Sequence, residues 1–112
     1  MLMMIKDKKN IKKSKCPLTM SLEVIGGKWK PLIIFNLHKS KKRFGQLDAI
    51  IPGISRKVLT DQLNQLVLDK LVIRTAFAET PPRVEYSLSE KGKELIPILK
   101  GISKWGSYLL EK

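Results

Sequence analysis

The stretch Pro52-Gly53-Ile54-Ser55-Arg56-Lys57-Val58-Leu59-Thr60-Asp61-Gln62-Leu63-Asn64-Gln65-Leu66-Val67 decides how this chain is read. Pro-Gly closes one segment, and Ser55 then offers a side-chain oxygen to an orphan backbone amide, which is what a helix N-cap requires. Leu59, Leu63 and Leu66 recur at helical spacing and commit one face to a core, with the helix expected to run to about Asp69. Arg56, Lys57, Thr60, Asp61 and Asn64 fall on the opposite face. A helix that opens with Ser-Arg-Lys can donate hydrogen bonds to base edges and phosphates while its apolar side stays packed, the layout of a DNA reader.

The flanks extend this layout. Upstream, Phe44, Leu47, Ile50 and Ile51 return at helical spacing before Pro52-Gly53 and form the first half of a helix-turn-helix. Before them lie a cationic connection, Lys39 to Arg43, and a helix to about His38 with Trp29, Leu32, Ile33 and Leu37 as its buried stripe and Pro31 in its opening turn. Leu18, Leu22 and Ile25 mark a short first helix, entered at Pro17 and stopped by Gly26-Gly27. Downstream, the period changes to two from Val72, with Ile73, Thr75 and Phe77 on one face and Val72, Arg74 and Ala76 on the other. Glu79-Thr80-Pro81-Pro82 cannot continue a ladder, and Val84, Tyr86 and Leu88 then alternate with Arg83, Glu85 and Ser87 as the returning strand. Arg83 is expected to point away from the core at the hairpin's tip.

Ser89 is placed to cap a last helix, in which Pro97 should introduce a bend. Leu95, Ile98, Ile102, Trp105 and Leu109 follow a 3-4-3-4 spacing along it, a seam for another helix. Either a second copy of the chain or the domain's own first helices can fill that seam. The expected fold class is α+β, mainly α: a winged helix-turn-helix with a two-stranded wing and a C-terminal dimerisation helix. It occupies residues 16–112, behind a basic, flexible N-terminal arm over residues 1–15.

At 112 residues and 12.8 kDa the chain supports a single core. Its hydrophobic and charged fractions, 43% and 29%, are those of a globular protein, but the net charge is +12. The surplus is regional: residues 1–15 hold six lysines against Asp7, and residues 28–43 hold six cations and no acid. Such a field concentrates polyanions and favours nucleic acid over a small anionic substrate; on charge alone, structured RNA and anionic membrane also qualify. The four arginines, Arg43, Arg56, Arg74 and Arg83, all lie in the presumptive reading region, while the arm and last helix use lysine. Arginine's planar fork grips phosphate or guanine through two parallel bonds, whereas lysine acts as a hydrated point charge. No secretory or membrane segment is evident and the lone Cys16 supports no disulfide framework, so a cytoplasmic protein is expected.

From Cys16 to Trp105 the chain resembles the HxlR-type winged helix-turn-helix transcriptional regulators, relatives of the MarR group. The residues that carry the resemblance are Cys16-Pro17, Ile25-Gly26-Gly27-Lys28-Trp29, Ile51-Pro52-Gly53-Ile54-Ser55, Leu59-Thr60 with Leu63, and Pro81-Pro82-Arg83-Val84-Glu85-Tyr86-Ser87-Leu88 leading to Gly92. The resemblance implies a bacterial, occasionally archaeal, homodimer that binds a palindromic operator in double-stranded DNA, most often as a repressor. It also implies Ser55, Arg56, Lys57 and Thr60 in the major groove and Arg83 near the adjoining minor groove. One departure is Lys70, where the family commonly has Gly after Asp, which makes a left-handed helix end less favourable.

Cys16 carries the most potential chemistry. A neighbouring Lys15 and a helix N-terminus both favour thiolate, and hence reaction with a small-molecule oxidant or electrophile. Several members of the family it resembles use a cysteine at this place as a redox or electrophile sensor. The competing reading is a buried, inert thiol under the first helix. His38 reads as a solvated helix end, and one imidazole with one thiol cannot assemble a metal site of three or four protein ligands within one chain. Trp29 and Trp105, on apolar stripes, read as core or interface rather than the lining of an effector pocket. Asp61 either selects cytosine amino groups or trims non-specific phosphate affinity. There is no Gly-rich phosphate loop, carboxylate pair at a useful spacing or second histidine, so neither an enzyme nor a cofactor is expected. The principal reading is a sequence-specific DNA-binding regulator; the alternative is a basic RNA-binding or ribosome-associated module.

Overall fold

The structure, a computed structural model, describes residues 16–111. The basic arm expected over residues 1–15 lies outside the described residues. The order of elements is α1 (Pro17–Ile25), α2 (Trp29–Lys39), β1 (Lys42–Arg43), α3 (Phe44–Ile50), α4 (Arg56–Leu68), β2 (Val72–Phe77), β3 (Arg83–Leu88), the single turn α5 (Glu90–Lys93) and α6 (Leu95–Leu110).

Each boundary has a local cause. Ser55 caps α4, its Oγ accepting from the Val58 amide at 3.1 Å. Gly53 supplies the positive φ, +81°, that the turn between α3 and α4 needs. Asp69 closes α4, and Lys70 takes the left-handed conformation, φ 63°, despite its side chain. The Lys70 amide donates to the Val67 carbonyl and the Leu71 amide to the Leu66 carbonyl, both at 3.0 Å, which is a Schellman ending built without glycine. Ser89 Oγ fixes the same corner by donating to the Lys70 carbonyl at 2.7 Å. A Cβ on Gly92 would overlap the Leu71 carbonyl oxygen, so glycine lets α5 lie against this exit.

Ser89 caps α5 rather than one continuous last helix, its Oγ accepting from the Gly92 amide at 3.0 Å. Pro97 is the third residue of α6, where its missing amide falls in the opening turn. The expected mid-helix bend is therefore replaced by a break at Glu94, between α5 and α6.

The wing contains one strand more than expected. Lys42 and Arg43 pair with Tyr86 and Glu85, so the sheet is antiparallel in the order β1-β3-β2. A two-residue strand has no periodicity to show, which hid it inside the cationic connection. Lys42 also donates to the carbonyls of Asn36 and Ser40 at 3.0 and 3.2 Å, capping the C-terminal end of α2. The β2–β3 register, Val72 opposite Leu88 through Phe77 opposite Arg83, places Val72, Arg74, Ala76, Val84, Tyr86 and Leu88 on one face. Only Val72, Tyr86 and Leu88 of these are buried, because the hairpin leaves the domain beyond its first residues.

The core joins Ile33, Ile34 and Leu37 of α2, Leu47 and Ile51 around α3, Leu59, Leu63 and Leu66 of α4, the sheet residues above, and Ile96 and Leu99 of α6. In α2 the buried stripe differs from expectation: Ile34 and Lys30 are buried, Trp29 is partly buried and Leu32 is exposed. Lys30 Nζ donates to Gln65 Oε1 at 2.6 Å and to the Val24 carbonyl at 3.4 Å, tying α1, α2 and α4 together. A buried ammonium is tolerable only with such partners.

Candidate nucleic-acid interface

Three leucines of α4 are sealed in the core, which holds its other side in solvent. Ser55, Arg56, Lys57, Thr60, Asp61 and Asn64 are all exposed there. Arg56 remains 72% exposed while Nη1 donates to Asp48 Oδ2 at 3.1 Å and the guanidinium lies over the Phe44 ring, 5.0 Å from its centroid. Both partners belong to α3, so the first helix of the helix-turn-helix aims the leading arginine of the second. Held by one carboxylate oxygen and one ring, the guanidinium keeps donors for an incoming base edge or phosphate. Thr60 Oγ1 donates its proton to the Arg56 carbonyl at 2.9 Å, leaving its lone pairs and methyl group to face outward.

The wing is organised differently. Arg43, Glu85, Thr75, Phe77 and Arg83 share the outer face of the sheet, as the registers of both strand pairs require. Arg83, directly opposite Phe77, stacks on that ring at 3.9 Å. Its Nη2 donates to Glu79 Oε2 at 2.7 Å and its Nη1 to Glu85 Oε2 at 3.0 Å, leaving the side chain only 25% exposed. Glu85 is held in turn by Lys41 at 3.4 Å. Arg83 does face away from the core, as expected, but it is engaged within the hairpin. Arg43 is exposed and its amide donates to Gln46 Oε1 at 2.8 Å, while Arg74 is exposed on the outer strand.

Helix α6 shows the opposite pattern. Ile98, Ile102, Trp105 and Leu109 are exposed and Leu95 is half-buried, whereas Ile96 and Leu99 reach the core. Among the described residues, the domain's own helices leave the seam from Ile98 onward uncovered. Helix α1 has no buried residue and exposes Leu18 and Leu22, and α6 also exposes Tyr108 and Leu110. A hollow of about 330 Å³ lies between the two helices, lined by Met20, Val24, Leu95 and Ile98 among others.

Cys16 is the N-cap of α1 and is exposed, which removes the reading of an inert thiol under the helix. Its Sγ lies 3.2 Å from Thr19 Oγ1. The hydrogen bond from the Thr19 side chain, then that from the Thr19 amide, hold the thiol below its ordinary pKa. His38 is an exposed residue in the last turn of α2, and no group of three or more metal-ligating side chains occurs among the described residues. Nor is any helix among them long and apolar enough to cross a membrane.

The structure brings Arg56 together with Asp48 and Phe44, and Arg83 with Glu79, Glu85 and Phe77. Sequence reasoning named the arginines and missed the residues that hold them, because a contact between positions 44 and 56 exists only once α3 and α4 are docked. Leu18 and Leu22 carried a signal in their four-residue spacing, but that spacing does not distinguish a face turned to the core from one turned away.

Comparison with known proteins agrees with this geometry. The HxlR-like helix-turn-helix family matches residues 24–112. YybR of Bacillus subtilis (strain 168), described as an uncharacterized HTH-type transcriptional regulator, is 43% identical over 102 residues, covering 89% of this chain and 82% of its own. Among solved structures, the redox regulator HypR in its oxidized form is 42% identical with a TM-score of 0.78, over 83% of this chain and 96% of that one. The reduced form of the transcriptional regulator YodB from B. subtilis is 34% identical with a TM-score of 0.73, over 82% and 91%. These matches displace the RNA-binding alternative and agree with the absence of enzymatic machinery expected from the sequence. The chain belongs to the HxlR-like helix-turn-helix family of transcriptional regulators.

Proposed function

We propose that two copies of this chain pair through α1 and α6 and bind a palindromic operator in double-stranded DNA, repressing transcription from the site they occupy. The exposed side of α4 enters the major groove of each half-site, and the wing approaches the flanking minor groove. Twofold pairing spaces the two reading helices by one turn of the duplex, about 34 Å. The observation that carries this reading is the polar side of α4, six side chains turned outward over a closed core. Arg56, Lys57, Thr60, Asp61 and Asn64 supply base selectivity; Arg43, Arg74, Arg83 and the lysines supply salt-sensitive backbone affinity. The uncovered stripe of Leu95, Ile98, Ile102, Trp105 and Leu109 supports the homodimer, and the family resemblance supports repression. Footprinting on the protein's own upstream region will supply the operator. On that site Arg56→Ala weakens binding by about 1–3 kcal/mol and relaxes base preference. Equal losses on operator and random duplex contradict the reading.

A second element of the proposal is that Cys16 couples this regulator to oxidants or electrophiles. It rests on the exposed thiol, its lowered pKa, and the likeness to the redox regulator HypR and to the transcriptional regulator YodB, solved in a reduced form and after diamide treatment. With one cysteine per chain, the products available are an intersubunit disulfide or a small-molecule adduct. Diamide then changes the operator affinity of the wild type and leaves Cys16→Ser unaffected; an identical response in both ends the assignment.

A further inference from the structure

The two arginines that lead the reading helix and the wing are held differently, and the difference assigns a role to a carboxylate. Arg56 is fixed on one side only. Arg83 has its guanidinium over the Phe77 ring, Nη1 on Glu85, Nη2 on Glu79, and a buried Nε with no hydrogen-bond partner. Its two carboxylates are not equivalent. Glu85 is a strand residue, 13% exposed and braced by Lys41, whereas Glu79 stands in the loop at 47% exposure. Glu85 and Phe77 therefore set the direction of the guanidinium, and Glu79 closes the Nη2 edge from the solvent side.

We infer that Glu79 stands in for a DNA phosphate on Arg83 and is thereby a specificity-determining residue of the wing. The 2.7 Å contact is the length of a charge-assisted bond, so a phosphate that takes that place on Nη2, rather than crowding beside it on the second N–H against its repulsion, must displace a carboxylate of like charge. That displacement costs the same on every sequence. Random duplex, which offers little besides backbone charge, cannot recover it, whereas a site that seats α4 correctly draws on its base contacts to do so. The loop position allows Glu79 to swing outward without disturbing the ladder, and Glu85 with Phe77 keeps Arg83 aimed when it does. This inference deepens the DNA-binding reading and rests on it.

The test uses the full-length chain, a random-sequence duplex and a salt titration. At about 50 mM salt Glu79→Gln binds about three- to tenfold tighter than wild type, and its slope of log affinity against log salt steepens by about one, the signature of one more phosphate contact. Arg83→Gln in the Glu79→Gln background removes the gain. Glu111→Gln, the same charge change at the far end of α6, does not reproduce it. Thermal unfolding of each variant confirms an unchanged fold. The inference is overturned if Glu79→Gln binds like wild type, if the gain survives loss of Arg83, or if Glu111→Gln matches it. The two levels separate cleanly: binding that is lost on Arg56→Ala/Lys57→Ala but indifferent to Glu79→Gln removes only this inference, while a wild type that never retains duplex removes the DNA-binding reading as well.

Discussion

Helices α4 and α6 both repeat large apolar residues at helical spacing, yet Leu59, Leu63 and Leu66 are 0–1% exposed, whereas Ile98, Ile102, Trp105 and Leu109 retain 54–63%. Around α4 the chain supplies α2, α3 and the base of the sheet, so the apolar side is covered and the polar side becomes a working surface. Against α6 the described residues bury Ile96 and Leu99 and half-bury Leu95, all within the first turns of a sixteen-residue helix. A periodic apolar stripe states that something must cover it; the rest of the fold determines whether the cover comes from the same chain. The side left in solvent is therefore polar in α4 and apolar in α6.

The comparison breaks most visibly at Leu63. Leu63→Ala opens a cavity in a closed core and should lower the unfolding free energy by about 2–5 kcal/mol in a denaturant titration. An effect below 1 kcal/mol would mean that α4 is no better covered than α6. Trp105→Glu probes the other helix. It should leave unfolding of the isolated protomer within about 0.5 kcal/mol of wild type, because the side chain is already in solvent, and raise the dimer dissociation constant at least about a hundredfold by sedimentation. Loss of protomer stability instead would place Trp105 in an internal core.

Smaller changes sharpen the same contrast at the ends of the elements. Lys70→Gly relieves a side chain held at φ 63° and should stabilise the domain by about 1 kcal/mol, read as a higher denaturation midpoint with an unchanged slope. No gain would indicate that the Ser89 bond to the Lys70 carbonyl, rather than backbone preference, sets this corner. Thr19→Val removes the leading bond to Cys16, and the sign follows from which form that bond favours. The hydroxyl stabilises thiolate, so the wild-type alkylation rate rises through a pKa below the ordinary thiol value, and the variant's profile moves to higher pH. An unmoved profile would assign the shift to the helix N-terminus instead.

Much of the site was legible because it is local. Ser55 announces a cap, the leucine spacing fixes which way α4 faces, and alternation from Val72 to Leu88 fixes the hairpin. The misses share a physical origin. Lys42 and Arg43 form a strand only because β3 offers them an edge; Lys30 is buried because Gln65 and the Val24 carbonyl converge on it. The partners of Arg83, namely Phe77, Glu79 and Glu85, meet it only when the hairpin closes. Pro97 predicts a bend by its residue type alone, but its place in an opening turn depends on where α5 stops.

By itself the sequence determined the order of elements, the polar and apolar sides of α4, the location of positive charge and the resemblance that names the family. These depend on backbone preference and on spacing along one chain, which short-range sterics and hydrogen bonding fix. Only the tertiary structure decided which arginine keeps an open edge, which carboxylate sits on the other's, and which apolar stripe the described residues leave exposed. Those outcomes depend on groups far apart in sequence arriving within a few ångströms of each other, and no periodicity records that distance.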